Sequence, residues 1–362
     1  MAACLPRKLG KGIRKLVSTS LTTSPGSSKA RNDSKPILSV IIVTWNVADM
    51  LRDCLKSLEN DGVSDWAEVI VVDNASQDDT AALVRREFPW AILLENAVNL
   101  GYSRGNNVGI RAAHGDHFLL LNPDTIVHAG SLRVLVDFAI SHPEAGIVGP
   151  KHFTGSGEIH YECASEFPTV WNVFCDLSFL SRVFARSRLF NGRLLGYWDH
   201  LNDREVPAIP GAAMLVGREV IQTVGLLDET MFYAEDMDFC MRVREAGWKI
   251  FYLASASIVH LGGVSTKRAG DFGFHRKIAF QSFWLFTRKH HGRVVAAMLS
   301  TMVFGWSLCA VTLGLCLSVV FRRDTPAGET VRVWRSLAHS LLQWSIGSKR
   351  RFRHHLAAAP QI

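Results

Sequence analysis

Between Ile37 and His260 the apolar residues fall into short unbroken runs, separated by stretches where they recur at helical spacing. "ILSVIIVTW" is a continuous apolar run, the pattern of a parallel strand buried on both faces. In "VADMLRDCLKSLEN", which follows, Met50, Leu51, Cys54, Leu55 and Leu58 share one helix face. The alternation continues. "AEVIVVD" predicts a strand, "DDTAALVRREF" a helix, "AILLEN" a strand and "SRGNNVGIRAA" a helix. "DHFLLLN" is then a strand, "SLRVLVDFAISHP" a helix and "AGIVGP" a strand. Such repeats imply an α/β domain with a mostly parallel sheet and helices on both faces. Ligands of these sheets bind beyond the carboxyl ends of the strands. Here those ends read "TWN", "DNAS", "EN" and "NPDT", polar where a site is expected.

Residues 151–210 are less regular and rich in aromatics, and read as a lid or acceptor-facing region. "AAMLVGREVIQTVGLLDE" returns to strand and helix, and "WKIFYLASASIVH" is a late strand ending at His260. Residues 1–36 are rich in Lys, Arg, Ser and Thr, carry Asp33 as their one acidic residue, and predict a disordered tail. They lack the apolar core of a secretory signal. The short basic piece "RKLGKGIRKLV" could touch anionic lipid, although a solvated tail suits it better. From Val294 to Phe321 there is no charged residue, a run longer than the roughly 20 apolar residues that span a bilayer. Its flanks are both basic, which gives no orientation for a single span and favours a re-entrant hairpin bending near Gly305, or an in-plane helix pair. The expected organisation is a tail (1–36), a catalytic domain (37–270), a linking helix (271–293), a membrane-associated segment (294–321) and a basic amphipathic tail (322–362) suited to a membrane surface.

Composition changes this picture little. With 48% hydrophobic and 20% charged residues the chain is a folded protein. A net charge of +7 suits an anionic ligand or an anionic membrane, and no basic helix interleaved with aromatics argues for nucleic acid. The seven cysteines are scattered without a C-x-x-C pair, as in reduced cytosolic proteins, and Cys240 reads as core rather than nucleophile.

Four places carry candidate chemistry. Asp73 ends a strand in a turn-prone sequence, where it can cap a helix or accept hydrogen bonds from a ligand. "NLGYSRGNNVGI" offers Gly101 and Gly105 for close backbone approach and Asn amides as donors and acceptors, but it is neither a Walker loop nor G-x-G-x-x-G. In "LLLNPDT" a buried strand breaks at Asn122-Pro123-Asp124, and an Asp there can turn within a loop or reach a metal bound to phosphate oxygens. Lastly, "FYAEDMDFC" packs Glu235, Asp236 and Asp238 together. Asp238 can pair with Arg242 along a helix, while Glu235 and Asp236 sit at its start and raise one another's pKa toward that of a general base. His260 is either an interior histidine or a metal or phosphate partner.

Taken in order, "VIIVTWN", "VIVVDNASQDDT", "NLGYSRGNNVGI", "FLLLNPDT", the long segment from Pro210 to Ile250 and the turn after His260 resemble the family 2 glycosyltransferases, closest to their bacterial rhamnosyltransferase-like branch. The resemblance spans Ile37 to Thr266. It implies a GT-A fold and an inverting, Mg2+- or Mn2+-dependent transfer from a nucleotide sugar, dTDP-rhamnose as the best guess, to a lipid-linked or cell-surface glycan. Cell-wall or polysaccharide synthesis at the cytoplasmic face of the plasma membrane would follow. A UDP- or GDP-sugar enzyme acting on another acceptor and a catalytically inactive nucleotide-sugar-binding protein are the alternatives. Position by position, the family implies Asp73 on the base, Thr44 and Asn46 lining the first strand's end, and Asn74, Ser76 and Asn107 holding the nucleotide. Asp124 matches the last carboxylate of the family's DxD, with Asn122 in its first position. His260 matches a metal or diphosphate neighbour, Gly211 and Ala212 the sugar pocket, and Asp236 the catalytic base with Glu235 beside it.

Overall fold

The computed structural model describes residues 35–262 and 272–321. The expected N-terminal tail with its basic piece, the turn beyond residue 262 and the amphipathic tail 322–362 therefore lie outside the described residues, apart from positions 35 and 36.

The strands are β1 (Leu38–Thr44), β2 (Ala67–Asp73), β3 (Ile92–Glu95), β4 (His117–Leu121), β5 (Thr125–Val127), β6 (Ala145–Phe153), β7 (Arg204–Glu205), β8 (Ala213–Gly217) and β9 (Lys249–His260). They form one sheet in the order β3-β2-β1-β4-β8-β6-β9-β5, with β7 paired to β9. Helices α1 (Ala48–Asn60), α2 (Thr80–Glu87), α3 (Gly101–Ala112) and α4 (Ser131–Ser141) alternate with the early strands as the periodicity predicts. The sheet is more mixed than the alternation implies. β8 runs antiparallel between β4 and β6, and β5 and β7 run antiparallel to β9.

β1 is apolar throughout because both of its faces are covered. Val40 and Ile42 pack with Leu51, Leu55 and Leu58 of α1, while Ile41 packs with Ile110 of α3 on the other face. α3 lies directly on β1: a Cβ at Gly105 would come within 2.6 Å of Val43, and one at Gly109 within 2.4 Å of Ile41. Gly105 thus serves helix–sheet packing, not approach to a ligand.

Between β6 and β8 lie the short helices α5 (Val170–Leu177) and α6 (Leu180–Val183). After β8 come α7 (Arg218–Val224), α8 (Glu235–Glu245) and, past β9, α9 (Phe272–His290) and α10 (Gly292–Phe321). α10 is one continuous helix through Gly305, about 45 Å long at 1.5 Å per residue, so neither the expected hairpin nor a helix pair is formed. One glycine costs a helix only about 1 kcal/mol, too little to break a run this rich in Leu, Val, Met and Ala. Ala296, Leu299, Val303 and Ser307 make its buried stripe. Its N-terminal 18 residues are long and apolar enough to cross a membrane.

Candidate active site

The polar carboxyl ends of the strands do converge along one sheet edge. Thr44 and Asp73 are register partners at the ends of β1 and β2. The Asp73 carboxylate is buried and accepts from the Ser76 hydroxyl (2.5 Å) and backbone N–H (3.2 Å). Burial pushes its pKa up, the two Ser76 donors pull it down, and Glu95 and Asp78 push it up again; the net direction is upward. Ser76 Oγ also accepts from the Asn46 N–H (2.9 Å), and Asn46 Oδ1 accepts from the Gln77 N–H (2.7 Å). Asn46 (φ 53°) and Ala75 (φ 60°) hold left-handed backbone here, strain of roughly 1–3 kcal/mol each that clusters at working sites. Thr44 Oγ1 is buried with no hydrogen-bond partner, the kind of orphan that a ligand satisfies.

Two expected nucleotide contacts are otherwise engaged. Asn74 donates to the Gly101 carbonyl (3.1 Å) and accepts from the Asn96 amide (2.8 Å), tying β2 to the start of α3. Asn107 donates to the Leu227 carbonyl and Glu229 Oε1 (both 3.0 Å) and accepts from the Leu227 N–H (3.1 Å). A buried amide must be satisfied, and both of these are satisfied by protein. They are staples that fix the edge.

At the next strand end, the Asn122 N–H donates to the Ala212 carbonyl (2.9 Å), which brings "NPD" against the entry to β8. Asp124 Oδ1 lies 3.4 Å from His260 Nε2, with Thr125 and His260 register partners. His152 and His160, which no motif marks, stand beside them. Their ring centroids lie 5.8 and 6.3 Å from that of His260. Burial, and then the two neighbouring imidazoles, lower His152 to about 3, so it stays neutral. No group of three or more His, Cys, Asp or Glu side chains suited to a metal occurs among the described residues. One carboxylate and one imidazole do fit an ion that keeps water and brings substrate phosphates as its remaining ligands.

The carboxylate cluster resolves into separate roles. Asp236 Oδ2 accepts from the Gly211 N–H (3.1 Å) and Oδ1 from its neighbour Met237 N–H (2.7 Å). The Gly211 carbonyl accepts from the Tyr102 hydroxyl (2.6 Å), so one peptide segment joins α3 to α8. A Cβ at Gly211 would come within 2.5 Å of that hydroxyl, which excludes any side chain there. Tyr102 sits inside the quoted "NLGYSRGNNVGI", but nothing local marked it. Glu235 is buried, its Oε2 unpartnered. Burial, and then the Asp236 charge, push it up to about 8. Burial also raises Asp236, but the Gly211 and Met237 donors oppose the shift. Glu235 therefore holds its proton at neutral pH, and Asp236, aimed by two main-chain donors, is the better placed base. Asp238 is fully buried and pairs with Arg242 as the spacing predicts (2.8 Å). Cys240 is core, its thiol pushed up to about 12 by burial.

A testable consequence concerns stability. Glu235 binds its proton more tightly folded than unfolded, so native stability falls as pH rises from about 4.5 towards 8. Glu235→Gln abolishes this loss. Thermal melts of the two proteins should nearly coincide at pH 5 and diverge by pH 8, with the variant the more stable. A constant gap would show that Glu235 does not hold a proton in the native state.

Comparison with known proteins agrees with this architecture. Residues 39–198 match the sequence model of glycosyl transferase family 2. The chain is 28% identical over 275 residues to the N-acetylglucosaminyl-diphospho-decaprenol L-rhamnosyltransferase of Mycobacterium tuberculosis, covering 70% of this chain and 85% of that one. It is 24% identical over 279 residues to a low-salt glycan biosynthesis hexosyltransferase of Haloferax volcanii, covering 74% and 82%. Its fold resembles that of a mannosyltransferase from Pyrobaculum calidifontis solved with GDP-mannose and Mn2+, with a TM-score of 0.51, 16% identity and coverage of 87% and 89%.

Proposed function

We propose that the chain is a family 2 glycosyltransferase of GT-A fold that moves a sugar, with inversion, from a nucleotide-diphosphate donor onto a hydroxyl of a lipid-linked glycan at the cytoplasmic face of the plasma membrane. dTDP-rhamnose is the preferred donor, supported by the mycobacterial relative's rhamnosyl transfer to a decaprenol-linked sugar. The observation that carries the reaction type is the Asp236 carboxylate, held by the Gly211 N–H beside a protonated Glu235.

An acceptor hydroxyl is a poor nucleophile at neutral pH. Asp236 takes its proton as the acceptor oxygen bonds to the anomeric carbon. The bond from that carbon to the donor diphosphate breaks on the opposite face, the nucleoside diphosphate leaves, and the configuration inverts. The path passes through an oxocarbenium-like state, as in glycoside hydrolysis. Asp73, with Ser76 and Asn46, holds the nucleoside, and Thr44 finds its missing partner there. Asp124 and His260 would hold Mg2+ or Mn2+, and the ion would supply Lewis-acid stabilisation of the leaving diphosphate. Gly211 and Ala212 border the sugar, with the space beside Gly211 taken by the Tyr102 hydroxyl.

The fold neighbour's GDP-mannose makes a GDP-sugar the second donor to test. Purified protein should bind or slowly hydrolyse one of dTDP-rhamnose, UDP-sugars and GDP-sugars preferentially, and only with Mg2+ or Mn2+. Indifference to all donors, with and without metal, would remove the proposed chemistry.

A further inference from the structure

The segment read from sequence as a lid carries an unusual outer surface. Trp171, Phe174, Phe179 and Phe184 on and after α5 and α6 are exposed by 45, 42, 48 and 47%, and Val183 and Leu189 by 71 and 61%. Single exposed apolar residues need no explanation, but a contiguous patch does. Trp171 stacks on Phe174 (5.7 Å between ring centroids), and Phe190 lies 6.1 Å from Trp171 and 4.9 Å from Phe184.

The patch continues onto α10. Phe179 meets Trp306 at 5.8 Å. A groove of about 740 Å³ runs between Val170 and the α10 residues Arg293, Val294, Met298 and Met302. The face of α10 opposite its buried stripe is apolar as well, with Val294, Met298 and Leu308 exposed by 74, 53 and 53%.

Charge says what covers this face. Arg182, Arg186 and Arg188 are exposed among the aromatics, and no carboxylate pairs with them among the described residues. Asp176 is the one acidic residue from 170 to 193, and Arg193 neutralises it (2.5 Å). Exposed aromatic rings, arginines that reach past their own apolar stems, and a helix alongside with no charge beyond Arg293 match the headgroup boundary of an anionic bilayer.

We propose that α5, α6 and α10 form one bilayer-docking face, in which the aromatic side chains enter the headgroup boundary and Arg182, Arg186 and Arg188 engage anionic lipid headgroups. The proposal rests on the membrane association proposed above and extends it from the C-terminal helix to the catalytic domain itself. It is independent of the donor and of the chemistry at Asp236.

The test is hydrogen exchange on the full-length protein, free and on vesicles of phosphatidylcholine with or without phosphatidylglycerol. Anionic vesicles should slow exchange in peptides covering 170–190 by roughly tenfold or more. The triple variant R182E/R186E/R188E should bind those vesicles on the order of 100-fold more weakly, from the contribution of each basic side chain near an anionic surface. Its nucleotide-sugar binding should be unchanged, which also checks its folding. Protection confined to 294–309, with 170–190 exchanging as in solution, overturns the proposal. So does protection that appears without vesicles and grows with protein concentration, since a second copy then covers the face. A folded triple variant that binds like the parent also overturns it, and the exchange result on the parent decides alone if the variant does not fold. Loss of transfer with 170–190 still protected would count against the proposed function and leave the docking face standing.

Discussion

Asp236→Asn should keep nucleotide-sugar binding within a few-fold and lose glycosyl transfer by about 10²–10⁴, the usual contribution of a positioned general base. The prediction follows from where Asp236 sits rather than from its being acidic. Its two oxygens are each aimed by a main-chain donor, Gly211 at 3.1 Å and Met237 at 2.7 Å. Both donors favour the ionised form and oppose the rise that burial causes. Asparagine keeps the shape but can accept from only one of the two N–H groups. A melting curve should therefore accompany the kinetics, to separate a local mismatch from the lost base.

The pH profile sharpens the test. Transfer by the parent should rise with pH along an acid limb set above the ordinary aspartate range, because the Asp236 pKa is raised. Glu235→Gln should retain that limb, since it leaves Asp236 and its two main-chain donors in place. Normal turnover by Asp236→Asn together with a dead Glu235→Gln would move the base by one residue.

How legible was this site before the structure? The strands whose two faces are both buried announced themselves as unbroken apolar runs, and the ends of β1, β2 and β4 fall within a residue or so of the quoted polar breaks. What the runs could not carry was direction. β8 reads like any short buried strand, yet it enters antiparallel, and that reversal brings Gly211 and Ala212 to the same edge as Asn122. The spacing of Asp238 and Arg242 predicted their pair because the contact is local to one helix. His152, His160 and Tyr102 were missed because their significance lies in partners far along the chain. A conspicuous amide in a motif, such as Asn107, looks the same in sequence whether it meets a ligand or a backbone carbonyl. The aromatic and arginine surface of α5 and α6 escaped for a different reason. Helices of eight and four residues are too short to show an amphipathic period.

Asp238 leads to the second large effect, and it is structural. Besides Arg242, this buried carboxylate meets Lys289 (2.7 Å) and His290 (2.8 Å) at the end of α9. Arg242 in turn donates to the Val224 and Leu226 carbonyls (3.0 and 2.9 Å). One anion therefore ties the helix that bears Asp236 both to the turn after α7 and to the helix that leads into α10. Asp238→Ala would leave Arg242 enclosed without its counter-charge and the His290 ring without its hydrogen-bond partner, and breaking a buried pair from one side costs roughly 3–5 kcal/mol. Asp228 provides the contrast. Burial pushes its carboxyl up, but Lys289 and the Thr230 donors outweigh that and hold it at about 2, so its contribution persists above the ordinary aspartate pKa and fades only as pH falls towards 2. Its partner Lys289 is 37% exposed, so Asp228→Asn should cost much less at pH 7. Denaturant unfolding should rank Asp238→Ala far below Asp228→Asn in stability, and hydrogen exchange should show α9 loosened more in the first. Equal losses would mean that α9 is held by its apolar contacts, with Phe286 fully buried among them, and not by the carboxylate at its end.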